Sequence, residues 1–69
     1  MTYFHIFPVQ HSDCPYLTFD AYVETETEDM FTGAIRVSCI SCGMPFQAMV
    51  ESTKCTPDRP DHLPMAAIA

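Results

Sequence analysis

A chain of 69 residues is long enough for one domain and no more. With 48% hydrophobic and 17% charged residues, its composition is that of a folding chain and excludes a disordered one. The net charge is −6, and Arg36, Lys54 and Arg59 are the only fixed cations, which excludes the broad basic patch of a typical nucleic-acid binder.

The first element in chain order is Tyr3–Val9, aromatic and β-branched, which reads as a strand ended by Pro8 and the polar turn Gln10–Asp13. Within it, His5 reads as a packed strand residue. Tyr16–Thr25 alternates, with Leu17, Phe19, Ala21 and Val23 on one face and Tyr16, Thr18, Asp20, Tyr22 and Glu24 on the other. That period of two predicts a half-buried strand. Glu26-Thr27-Glu28-Asp29 is the expected turn. Met30–Ser38 alternates again, with Phe31, Gly33, Ile35 and Val37 apolar. Burying both apolar sets together predicts a hairpin pairing Val23–Phe31, Ala21–Gly33, Phe19–Ile35 and Leu17–Val37, with Gly33 marking a bulge. Pro45–Ser52 reads as a further strand, with a short helix as the alternative. The expected fold is mainly β, a small antiparallel sheet of three to four strands. Residues 1–52 form the domain, and 53–69 an irregular Pro-rich C-terminal segment.

No apolar run approaches the ~20 residues that span a bilayer. The start of the chain lacks the basic and apolar regions of a signal peptide. The expected location is the cytoplasm, where thiols stay reduced and four cysteines point towards metal. A core of this size contributes roughly 3–5 kcal/mol, so a staple is expected.

Two short motifs can supply it: His11-Ser-Asp-Cys14 before the hairpin and Cys39-Ile-Ser-Cys42-Gly43 after it. A tight turn brings two x₂-spaced ligands together, and Gly43 permits the positive φ needed next. The hairpin register carries Cys14 beside Ile40, so both motifs should reach one end of the sheet. Ile35-Arg-Val-Ser-Cys-Ile-Ser-Cys-Gly-Met-Pro-Phe46 resembles a zinc-ribbon knuckle, and His11–Pro15 resembles the partner knuckle with one cysteine replaced by histidine. The likeness covers residues 11–50 at superfamily level. It implies structural zinc on His11, Cys14, Cys39 and Cys42. The chain departs from the pattern in the long spacing between Cys14 and Cys39.

Cys55 and His62 compete for the fourth position. A strand through Pro45–Ser52 would carry Cys55 about 25 Å away, which leaves His11 favoured. No catalytic constellation is evident. A redox Cys-x₂-Cys belongs at a helix start, and here a strand precedes it. The expectation is that the chain is not an enzyme.

Asp20, Glu24, Glu26 and Glu28, with Tyr16 and Tyr22, form a candidate partner-binding face, with Arg36 partly neutralising Asp20 across the sheet. Carboxylates steer cationic partners and tyrosine supplies contact area. The main expectation is a zinc-stabilised acidic binding module, an adaptor or inhibitor of a basic protein. The acidic row also resembles small phage-type inhibitors that imitate DNA phosphates, a likeness of size and charge that would place the chain in a host cytoplasm. The alternatives are a nucleic-acid-binding ribbon, against which the charge argues, a thiol redox protein, and a structural subunit whose apolar Leu63–Ala69 tail makes an oligomer.

Overall fold

The computed structural model describes residues 1–69 and contains strands and turns with no helix. The strands are β1 (Tyr3–Val9), β2 (Phe19–Thr25), β3 (Thr32–Ser38), β4 (Pro45–Glu51), β5 (Lys54–Thr56) and β6 (Met65–Ala66). Tyr16 and Leu17 lie before β2 in the β1–β2 connection, and Met30 lies before β3.

The predicted pairing of β2 with β3 does not form. Instead β1 pairs antiparallel with β2, placing Phe7 opposite Ala21 and Val9 opposite Phe19. β3 pairs antiparallel with β4, placing Ile35 opposite Ala48 and Val37 opposite Phe46. Gly33 faces Val50 rather than Ala21. The sheets are therefore β5-β1-β2-β6, four-stranded and mixed, and β3-β4, two-stranded.

The two hairpins stack through the faces that the alternation marks as apolar. Phe7 and Val9 of β1, Phe19, Ala21 and Val23 of β2, Ile35 and Val37 of β3, Val50 of β4 and Cys39 make one buried cluster. Phe31 packs on Phe7 at 6.2 Å between ring centroids, and Phe46 meets Phe19 edge-on at 6.3 Å. Each fully buried side chain of this size contributes about 1.5–3 kcal/mol. Only 13 of 69 residues are buried, so the core is thin.

The C-terminal segment is more ordered than its prolines suggest. β5 adds to the outer edge of β1, with Cys55 opposite His5. β6 runs parallel to β2, with Met65 opposite Ala21, and the Ala67 N–H donates to the Tyr22 carbonyl at 2.8 Å. Ile68 then exchanges two backbone hydrogen bonds with Arg36 of β3, at 2.8 and 3.1 Å. Residues 65–68 thus link the β2 edge of one sheet to the β3 edge of the other, occupying the seam where β2 and β3 were expected to meet.

Candidate metal centre

Both ligand motifs lie in hairpin connections at the same end of the stacked sheets. The first follows β1. The Cys14 N–H donates to the His11 carbonyl at 2.9 Å, and the Leu17 N–H to the Cys14 carbonyl at 3.1 Å, which curls residues 11–17 into successive turns. The second joins β3 to β4. The Cys39 N–H donates to the Met44 carbonyl at 2.9 Å, and the Gly43 N–H to the Cys39 carbonyl at 2.8 Å. Gly43 closes this loop with φ of 77°, the left-handed conformation that glycine adopts without a Cβ penalty.

The loops bring His11, Cys14, Cys39 and Cys42 together, with one ligand atom from each within 4.8 Å of all the others. A tetrahedral ion with bonds of about 2.0–2.3 Å needs ligand separations of about 3.3–3.8 Å, so little contraction is required. His11 Nδ1 lies 3.4 Å from Cys42 Sγ, already at such an edge. All four cysteines are free thiols. Three sulfurs and one imidazole form a soft, closed set that can hold a metal ion.

His11 is held from three sides. Its ring stacks on Phe46 with centroids 4.8 Å apart. Its Nδ1 faces the sulfurs, and its Nε2 lies 3.8 Å from an Asp13 carboxylate oxygen. A carboxylate that hydrogen-bonds the far nitrogen of a ligating histidine orients its ring, and Asp13 stands beside that nitrogen at slightly more than hydrogen-bond distance. Its spacing, His11-x-Asp13, was the only signal for this in the sequence.

The thiols divide their proton affinity unevenly. Backbone N–H from Cys42 lowers Cys39 to about 7; burial opposes this, while N–H from Ser41 and thiol contacts from Cys14 and Cys42 reinforce it. Burial pushes Cys14 up to about 11, assisted by its hydrogen bonds to Cys39 and Cys42, with Ser41 pulling the other way. N–H groups within the turn therefore prepare Cys39 as a thiolate, whereas Cys14 holds its proton.

The other predicted site residues lie elsewhere. Cys55 is on β5, its Sγ 4.0 Å from His5 Nε2. His62 is exposed in a groove beside Asp58 and Arg59. Asp20, Glu24, Glu26, Glu28 and Tyr16 are exposed, but Tyr22 is buried, with its ring edge-on to Phe4 at 5.8 Å. The supposed face of acids and two tyrosines is therefore interrupted where Tyr22 packs against Phe4. Arg36 lies on the other sheet and forms no salt bridge with Asp20.

Sequence reasoning gave His5 no partner. Its ring is fully buried, with Nε2 at 2.7 Å from Thr25 Oγ1 and 3.2 Å from the Thr27 carbonyl. The Thr25 hydroxyl donates to Thr27 O at 2.7 Å, so its oxygen is free to accept from Nε2–H. This network assigns the Nε2–H tautomer and leaves Nδ1 as a buried acceptor without a partner.

No protein-family model, curated protein or solved structure matches the chain.

Proposed function

We propose that this protein is a small acidic binding module whose two hairpins are clamped by one structural zinc ion on His11, Cys14, Cys39 and Cys42. The observation that carries the reading is the convergence of four soft ligand atoms within 4.8 Å from two separate hairpin connections. Zinc suits three thiolates and an imidazole, and four protein ligands leave no coordination position open for chemistry. That closure supports a structural ion and a protein that is not an enzyme. The ligands come in pairs from different sheets, so the ion ties together two hairpins that share a thin core. The strands flanking Cys39-x₂-Cys42 place no helix dipole behind it, which favours a knuckle over a redox pair. A site of this kind needs reduced thiols, which fits the cytoplasm. The charge of −6 favours a basic protein as partner, bound as an adaptor or inhibitor would bind it.

Native mass spectrometry before and after chelation tests the reading. The expected result is one zinc per chain, lost together with the compact charge states. A metal-free folded chain, or a mass lowered by the hydrogens of disulfides, overturns it.

A further inference from the structure

The end of the molecule that carries the ligand turns differs in surface chemistry from the rest. Segments 10–18 and 38–45 contain one formally charged residue, Asp13. Three of the large exposed hydrophobic residues, Tyr16, Ile40 and Met44, lie within two residues of a cysteine ligand. Tyr16 is wholly exposed, and Ile40 and Met44 are each 57% exposed. Interface cores are depleted of charge and enriched in aromatic and methionine side chains in this way.

Beside this end lies a groove of about 280 Å³ lined by Thr18, Phe19, Asp20, Ile40 and Leu63. It is smaller than the about 300–1,000 Å³ typical of a small-molecule site, and suits a single long side chain. Ile40 comes from the β3–β4 turn, Leu63 from the C-terminal segment and Asp20 from β2. Asp20 is exposed and makes no ion pair, although it also borders the groove where Lys54 and Arg59 sit. An apolar groove with one unpaired carboxylate matches the side chains that combine an aliphatic stem with a cationic head.

We infer that Asp20, Ile40 and Leu63 form the receiving groove for a lysine or arginine side chain of a basic partner protein, with Tyr16 and Met44 as flanking apolar contacts. This rests on the proposed module in that the clamped turns hold Ile40, Tyr16 and Met44 in place. It also moves the docking surface. The acids at Glu24, Glu26 and Glu28 set the long-range field that steers a cationic partner, while the ligand end supplies the short-range contact. Charge selects this occupant over a second copy, because a like-charged chain offers Asp20 few cations.

The test is selection of a random peptide library against the zinc-loaded 69-residue chain. Enriched peptides are expected to carry lysine or arginine beside apolar residues. Asp20→Asn should weaken a selected peptide about fivefold, the size of a partly screened charge pair. Ile40→Ser and Leu63→Ser should weaken it as well, while Glu26→Gln with Glu28→Gln should change the equilibrium affinity less than about twofold. All five positions are exposed, so these variants retain the core. No enrichment, enrichment of neutral or acidic peptides, or sensitivity to Glu26 and Glu28 in place of Asp20 overturns the groove. A dimer in the native mass spectrum that is lost in Ile40→Ser assigns the surface to a second copy and also overturns it. The same spectra separate the two readings. Metal-free protein that still selects basic peptides defeats the zinc clamp alone, and zinc-loaded protein that selects none defeats the groove alone.

Discussion

His5 and His11 are six positions apart on β1 and its extension, about 20 Å at strand rise, and both are buried. Each has a cysteine sulfur near a ring nitrogen, at 4.0 Å for His5 with Cys55 and 3.4 Å for His11 with Cys42. There the likeness ends. Around His11 two further sulfurs converge and a carboxylate stands behind the ring. Around His5 the neighbours are a threonine hydroxyl, a backbone carbonyl and Phe31. Burial does not make a histidine a ligand; the number of soft groups that reach the same point does. One end of the molecule thus gathers a ligand set that can hold an ion, and the other ties its histidine through Nε2 while Nδ1 stays buried without a partner.

Chelation provides the largest test of that contrast. Structural zinc sites of this type bind with an apparent ~10–16 kcal/mol, as large as the whole stability of a domain. Stripping the ion should collapse the amide dispersion in a proton–nitrogen correlation spectrum across both ends. A spectrum that changes only near Cys14 and Cys39 would show that the hairpins hold without a clamp.

Exchanging the histidines separates the two ends next. His11→Ala should lower zinc affinity by more than the 10–100-fold typical of losing an outer partner, while His11→Cys should retain the ion. His5→Ala should leave the zinc stoichiometry at one and reduce stability by about 2–4 kcal/mol, through the cavity left by a fully buried ring. Denaturant titration of the zinc-loaded proteins measures both effects.

Zinc affinity should also follow the thiols. Binding expels a proton from Cys14, held up at about 11, at every ordinary pH. Cys39, near 7, gives up a proton only below that point. Affinity therefore falls as pH falls, with a steeper slope below about 7, which competition titrations across that range can resolve. Asp13→Asn should cost about tenfold in affinity with the fold intact. The smallest effect should come from Cys55→Ser, an exposed site expected to stay within about 0.5 kcal/mol and to leave metal content unchanged.

Much of this was legible in the sequence, though not all for the right reason. The alternation in residues 17–23 and 31–37 identified the faces that become the core. A period of two fixes which face is buried, but not whether the partner lies beside the strand or across the core. The apolar sets of β2 and β3 do share a core, but across stacked sheets, and each strand pairs with its other sequence neighbour. The convergence of the two motifs followed from both arrangements, since β1–β2 and β3–β4 each place a ligand turn at the same end. Tyr22 was misjudged because its outward position carries no mark of the Phe4 ring that packs against it. Proline content concealed β5 and β6, whose pairing depends on edges that exist only once the hairpins have formed.

Those edges give the link through residues 65–68 a further meaning. An uncovered strand offers unpaired N–H and carbonyl groups to any passing chain, and is a common starting point for aggregation. Here the flanks of β2 and β3 are each occupied by backbone from a single short segment. Pro57, Pro60 and Pro64 lead into it and lack the N–H needed to extend a ladder themselves. The segment occupies the two inward-facing edges with very little chain, which leaves β4 and the short β5 as the edges open to solvent.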